Sequence, residues 1–340
     1  MFLVREARPD DLEQLLALGI ALDSINLPTE REAMERAVEC SIRSFRGQVS
    51  DRSQATYVFC AEDLERKVLA GASMIIGKHG TPDAPHYYMQ METEERYSRT
   101  LRKMFRHTYL QLRWSMDGPT EVGGLIVAPA YRGHPERIGK ALSWVRFLYI
   151  GKHLERFEPQ LIAEIMPPMT PEGSNLFWDH YGRRVTGLSF KEADRLSTRD
   201  KEFIRALFPE APLYTFLLPE DVRASLAAVN ERARPAVELL KRAGFRFLNQ
   251  IDPFDGGPYF GAVTREIVPV KNLLSRRVKP LATPKETVQR YLVACEDAEH
   301  GFRAVATCAE LTPTDVAIPS EAIEALMATA HQTVDVVPLP

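Results

Sequence analysis

An α/β (α+β) fold, a mixed and mostly antiparallel sheet flanked by helices, is what this sequence predicts, and three stretches predict it. The chain opens with a short strand, Phe2-Leu3-Val4-Arg5, a turn, and then leucines at helical spacing, Leu12, Leu15, Leu16 and Leu18. Two apolar runs, 55–61 and 68–76, flank the charged turn Glu62 to Lys67 in the pattern of a hairpin. The third stretch, Glu121 to Leu148, passes from the apolar strand Gly124-Leu125-Ile126-Val127 through a basic, glycine-bearing loop. It then enters a helix carrying Ala141, Leu142, Val145, Phe147 and Leu148.

Taken in order, Asp10 is placed to cap the first helix, and Thr29 a second one carrying Met34, Val38, Ile42 and Phe45 on its inner face. Gly77 to Asp117 reads as a polar, irregular insertion, with a helical or strand patch around Leu101 to Leu112, forming a substrate-side wall or a dimer contact. After the central helix, Pro159 to Met166 is a short buried strand stopped by Pro167-Pro168, and it carries Glu164. A carboxylate there costs several kcal/mol unless paired, with a structural arginine or with a cationic substrate. Ser174 is placed to open a helix that closes at Gly182. Helices over 201–208 and 224–232, a strand at Tyr214 to Leu218, and a helix closing on Gly244-Phe245 follow. Two helices that each close on a glycine before a strand suggest a weak internal repeat.

These readings divide the chain into residues 1–190, a smaller half at 191–265 completing the body, and 266–340 as a linker and an appended element. Lys271 to Leu281, rich in basic residues and proline, reads as the linker.

Composition narrows the partners. The 43 Lys plus Arg against 46 Asp plus Glu give a formal charge of −3, without the basic excess of a nucleic-acid binder. No apolar run approaches the roughly 18–20 residues of a membrane helix, and the N-terminus lacks a signal peptide's apolar core, so a cytoplasmic protein acting on small molecules is expected. Cys40, Cys60, Cys295 and Cys308 are widely spaced and form no metal motif with His79, His134 or His180, so reduced thiols and no metal are expected.

The loop after Val127 carries Arg132, Arg137 and Lys140 beside the free amides of a helix N-terminus, which is anion-binding chemistry. It resembles the acyl-CoA loop of GNAT-type N-acyltransferases, with Gly139-Lys140-Ala141 matching the second half of that signature and Glu136 standing where Gln or Arg is usual. The resemblance implies an acyl-CoA held by Ile126, Val127, Arg132, Arg137, Gly139, Lys140 and Ala141.

Over residues 2–262 the chain also resembles the arginine N-succinyltransferase family. The matching pieces include Leu27-Pro28, Ser41 to Phe45, Pro129 to Arg132 with Gly139 to Ser143, Ile162-Ala163-Glu164, Phe177-Trp178, and Phe254-Asp255-Gly256-Gly257-Pro258, all in family order. Membership implies a GNAT fold with no permanently bound cofactor, succinyl-CoA as co-substrate, and the α-amino group of L-arginine or ornithine as acceptor. It also implies a homo-oligomer, or a hetero-oligomer with a homologous subunit. The chain departs from the family at Gly123-Gly124 and at Met166-Pro167-Pro168, where the acceptor would bind.

Transfer to an amine needs a base, since an α-amino group is mostly protonated at neutral pH. Glu121 at the strand's mouth is the first candidate, with Glu164 as a second acidic group; an exposed strand-end charge is the plain alternative for Glu121. The family's usual tyrosine acid, counted four residues before a glycine, falls on Trp178, which leaves the acid unassigned. Asn26, Ser44 and Asp255 are candidates to hold the acceptor, and Arg43 the succinyl carboxylate. A non-catalytic acyl-CoA-binding protein, or the same fold with another acceptor or donor, is the alternative reading.

Overall fold

The computed structural model describes residues 1–21, 27–170, 173–197, 200–281, 289–329 and 331–340. Among them sixteen strands join in one sheet, mostly antiparallel as expected. Strand β1 (Phe2–Glu6) pairs with β2 (Thr56–Asp63), which forms the anticipated hairpin with β3 (Val68–Ile76). Helix α1 (Leu12–Ala21) is entered through a 3-10 turn. There Asp11, not Asp10, does the capping: its Oδ2 accepts from the Arg8 amide at 2.7 Å while both its oxygens take the Arg5 guanidinium at 2.6 and 2.8 Å. Helix α2 (Arg31–Phe45) starts after Glu30 with no side-chain cap, so Thr29 does not serve there. Two of its serines fasten it to β2: Ser41 Oγ accepts from Val58 N at 2.8 Å and Ser44 Oγ from Thr56 N at 3.2 Å.

The Gly77 to Asp117 region is not irregular. It forms a two-stranded ribbon, β4 (His86–Ser98) and β5 (Lys103–Ser115), in unbroken antiparallel register. Its outer half is wet on both faces, so Glu92, Glu94, Glu95, Arg96 and Arg106 erase the apolar alternation that marks a strand.

Strand β6 (Thr120–Val127) lies beside β3, and helix α3 (Ile138–Lys152) follows it, buried from Ala141 to Ile150. Successive residues of β2 face opposite sides of the sheet: Tyr57 and Phe59 pack toward α3, Val58 and Cys60 toward α1 and α2. Strand β7 (Gln160–Glu164) runs parallel to β6.

Beyond it, a π-helical turn, Trp178–Gly182, flows into α4 (Arg183–Thr186), which ends at Gly187 in the left-handed region. Gly182 therefore does not close the helix. It is there because a Cβ would fall 2.2 Å from the Trp178 ring. Short helices α5 (Phe190–Ser197), α6 (Glu202–Leu207) and α7 (Glu220–Ser225) follow, so the helix read over 224–232 lies earlier and is shorter. Strand β8 spans only Leu213–Tyr214 before a 3-10 turn. Helix α8 (Arg234–Ala243) ends at Gly244, φ 104°, as expected, and leads to β9 (Arg246–Ile251) and β10 (Pro258–Val263).

After α9 (Val268–Lys271), the stretch read as a linker is strand β11 (Leu274–Pro280). Its basic residues hid it, because Arg277 and Lys279 point outward to Asp315 at 3.2 and 2.9 Å. The remaining strands are β12 (Arg290–Asp297), β13 (Gly301–Cys308), β14 (Glu310–Leu311), β15 (Asp315–Ile318) and β16 (Thr333–Pro338), with α10 (Ser320–Leu326) between the last two. Strand β13 pairs with β1 and so joins this C-terminal group to the sheet.

Candidate active site

The site begins where β6 and β7 part. Their parallel register is limited to Thr120 with Leu161 and Glu121 with Ile162, although β6 runs on to Val127 and β7 to Glu164. A bulge helps turn β6 away: Ala72 faces Ile126 and Met74 faces Gly123, leaving two residues of β6 opposite Ser73. Gly124 occupies the bulge at φ 57°, and a Cβ there would sit 2.7 Å from Met74 Cγ. Glycine at 124 is thus a requirement of the backbone. Buried Arg146 of α3 supports it from behind, donating to Gly123 O at 3.1 Å and to Ser143 O and Oγ at 3.3 and 3.2 Å. Burial pushes this guanidinium's pKa down to about 9, and the charge of Glu121 opposes that shift.

At the mouth of the opening is a cavity of about 50 Å³, lined by His79, His86, Glu121, Glu164, Lys201, Asp252 and Tyr259, with neighbouring apolar atoms. Glu164, last residue of β7, lies opposite Tyr259 of β10. One oxygen each of Glu164, Asp252 and Asp255 lie within 4.8 Å of one another. The Tyr259 hydroxyl stands between two of them, 3.1 Å from Asp252 Oδ2 and 3.3 Å from Glu164 Oε2. Backbone amides hold the turn, with Asp252 Oδ1 accepting from Phe254 N at 2.7 Å and Asp255 Oδ1 from Gly257 N at 2.7 Å.

Like charges in a poorly hydrated place resist ionisation. Burial, then the charges of Asp252, Asp255 and Glu121, push the Glu164 carboxyl well above the usual carboxylate range, while Lys201 pulls the other way. Burial and Asp252 do the same to Asp255, and burial raises Asp252. Such a socket gains by taking up a cation. Beside it His79 Nε2 and Glu121 Oε2 are 2.5 Å apart, within hydrogen-bonding distance. His86 is held neutral, its pKa pushed down to about 3 by burial, His79 and Lys201.

The other sequence candidates fall as follows. Ile126, Val127, Arg132, Arg137, Gly139, Lys140 and Ala141 occupy one continuous strand, loop and helix start. Arg132 and Arg137 are exposed, and Arg137 enters α3 from the left-handed region at φ 54°. Lys140 Nζ donates to Pro340 O at 2.6 Å. Glu121 and Glu164 line the cavity from two separate segments, and Asp255 from a third stands behind Asp252, one oxygen within 4.8 Å of those of Glu164 and Asp252, without lining the cavity itself. Ser44 is spent on main chain, donating to Cys40 O at 2.8 Å and accepting from Thr56 N, and Arg43 is exposed on α2; neither lines the cavity. Asn26 lies outside the described residues. Trp178 is fully buried, stacked 5.2 Å from Phe254 with its indole N–H donating to Leu188 O at 3.0 Å, so it supports the cavity from beneath.

Sequence reasoning missed His79, His86, Lys201 and Tyr259, and it passed over Asp252. Asp252 was visible in the acidic turn before Gly256-Gly257; the others carry no local signal, since only the ribbon and the close of the sheet bring them to Glu164.

A family model described as arginine N-succinyltransferase beta subunit matches residues 2–269. An arginine N-succinyltransferase of Yersinia pseudotuberculosis is 30% identical, covering 100% of this chain and 98% of its own. A protein of Pseudomonas aeruginosa named arginine N-succinyltransferase subunit alpha is 31% identical over 96% of both chains. The solved structure of arginine/ornithine succinyltransferase subunit AI from Pseudomonas aeruginosa superposes with a TM-score of 0.85 at 29% identity, covering 100% of this chain and 99% of that one. With a splayed parallel pair in an antiparallel sheet, a basic loop opening the following helix, and matches of this length, the chain belongs to the arginine N-succinyltransferase family.

Proposed function

We propose that the protein transfers the succinyl group of succinyl-CoA to the α-amino group of L-arginine, in a ternary complex, releasing free coenzyme A. The observation that carries this reading is the carboxylate socket of Glu164, Asp252 and Asp255 at the mouth of the β6–β7 opening. A guanidinium offers a planar fork of donors that two carboxylates can share, and its charge offsets their repulsion. The names of the relatives, arginine N-succinyltransferases, support a succinyl group as the one transferred and arginine as the acceptor.

In this reading the pantetheine arm lies along the edge of β6 beyond Glu121, where main-chain N–H groups polarise the thioester carbonyl. The diphosphate rests against the basic loop and the first amides of α3. The Glu121–His79 pair takes one proton from the α-ammonium, the freed amine forms the C–N bond as the C–S bond breaks, and the second proton leaves the nitrogen and passes to the departing thiolate, giving the free thiol. Arg146 holds the Gly123 carbonyl and with it the bulge. The enzyme works in the cytoplasm, alone as an oligomer or with a homologous subunit. Among the described residues no helix is long and apolar enough to cross a membrane.

The test is thiol release from a panel of acyl-CoAs and amines. Succinyl-CoA with L-arginine is expected to turn over fastest. Turnover with another amine would move the acceptor, and an inert mixture together with thermal stabilisation by acyl-CoA would mark a binding protein.

A further inference from the structure

Among the described residues Lys201 is the one lysine or arginine that lines the acidic cavity, and it is half-buried there. It immediately precedes α6, and the chain holds it on both sides. Asp200 Oδ1 accepts from Glu202 N at 2.8 Å, and Lys201 O accepts from Ile204 N at 3.1 Å. Ile204 is fully buried and lines the same cavity, so the backbone that carries Lys201 is anchored at the wall.

The charge of Lys201 reaches the acids without closing on them. Burial raises the pKa values of Glu164, Asp252 and Asp194, and Lys201 opposes the rise at each. Yet among the described residues no carboxylate forms an ion pair with its ammonium. Lys152, by contrast, closes on Glu296 and Asp335 at 3.1 and 3.0 Å, as a lysine that merely balances acids does. The two histidines of the cavity do not offer the same charge, since His79 faces Glu121 and His86 is held neutral. One wall thus gains from a cation, and Lys201 gains from an anion. A ligand with a positive group at one end and a negative group at the other suits both.

Resting on the transfer to L-arginine proposed above, we infer that Lys201 binds the α-carboxylate of the acceptor and so selects a free amino acid over an amine that lacks this group. The guanidinium goes to Glu164 and Asp252, and the carboxylate at the far end of the same molecule goes to Lys201. The α-amino group is borne by the carbon next to that carboxylate, so the pairing also brings the amine to the cavity wall that Glu121 and His79 share. An arginine at the N-terminus of a peptide, whose carboxyl is an amide, leaves Lys201 without a partner and is discriminated against.

The experiment measures thiol release from succinyl-CoA with L-arginine and with L-argininamide, in which a neutral amide replaces the carboxylate, for wild type and Lys201→Met. The acceptors differ in amine basicity, and that difference cancels when the variant is compared with wild type on the same acceptor. K201M is expected to lose about tenfold in kcat/KM for L-arginine, the worth of one charge-assisted pair, through KM with kcat little changed. With L-argininamide it is expected to lose less than twofold, because the carboxylates still take the guanidinium. K201R is expected to regain part of the arginine KM. A cooperative thermal transition checks that the variant is folded, and Lys201→Gln replaces it where methionine disturbs the fold. A folded variant that loses both acceptors alike, loses neither, or uses L-arginine better than wild type overturns the inference and leaves the succinyl transfer standing. Wild type inert with L-arginine overturns both.

Discussion

Replacing Glu164 by glutamine separates the socket's cost from its use. In the empty protein Glu164, Asp252 and Asp255 repel one another, and removing one charge relieves that repulsion while keeping the side chain's shape. Stabilising substitutions of this sort are worth about 0.5–2 kcal/mol. Unfolding 340 residues at about 2.1 cal/mol/K each carries about 0.7 kcal/mol/K, so Tm rises by about 1–3 °C. The same change removes one partner of a desolvated guanidinium, which costs about 2–5 kcal/mol, or at least about thirtyfold in the arginine KM. Differential scanning fluorimetry and steady-state thiol release read the two effects on one preparation. A lowered Tm would mean that the cluster is a satisfied network, and an unchanged arginine KM would remove the guanidinium from this cavity.

Three further outcomes are expected. His79→Ala and Glu121→Gln each lower kcat by about 10²- to 10⁴-fold with the KM for succinyl-CoA little changed, the loss typical of a general base, and an unaltered kcat would dismiss the pair from proton transfer. Because the Glu164, Asp252 and Asp255 pKa values are raised in the fold, the folded state holds more protons than the unfolded chain above the ordinary carboxylate range. The contribution of these three groups to the stability of the unliganded protein is therefore greatest below that range and falls as pH rises through the raised values, while the Tm gain from saturating arginine grows over the same interval; scans of wild type against Glu164→Gln from pH 4 upward check both signs. Gly124→Ala must take φ 57° and push against Met74, costing about 1–2 kcal/mol and weakening acyl-CoA binding, which a parallel Tm and titration measurement reads.

What the sequence disclosed followed from local rules. The β2–β3 hairpin, the strand, loop and helix around Val127 to Ile138, and the Gly244 stop are each written in contiguous residues. Of the ribbon β4–β5 only a helical or strand patch around Leu101 to Leu112 was legible, because strands wet on both faces lack period-two contrast, and β11 was missed because its outward Arg277 and Lys279 mask the single buried Val278. At the site, Glu121, Glu164 and Asp255 could be singled out by charge in apolar or glycine-rich surroundings. His79 could not, since nothing near Lys78 or Gly80 says that Glu121 lies across a strand pairing. The serines show the opposite failure. Ser44 was a candidate to hold the acceptor, but it and Ser41 bind the main chain of β2.

The two-residue contact between β6 and β7 has a further consequence for how the molecule exchanges hydrogen with solvent. Ten strands lie on one side of that contact and six on the other, so among the described residues the pairing of Thr120 and Glu121 with Leu161 and Ile162 is what joins the two parts of the sheet. Alternate amides of β6 beyond Glu121 have no neighbouring strand on the open side and are built to be sealed by a guest. In deuterated water they should exchange within seconds when the protein is empty and slow by orders of magnitude when the groove is filled, which makes this short strand edge an occupancy gauge that needs no label and no turnover.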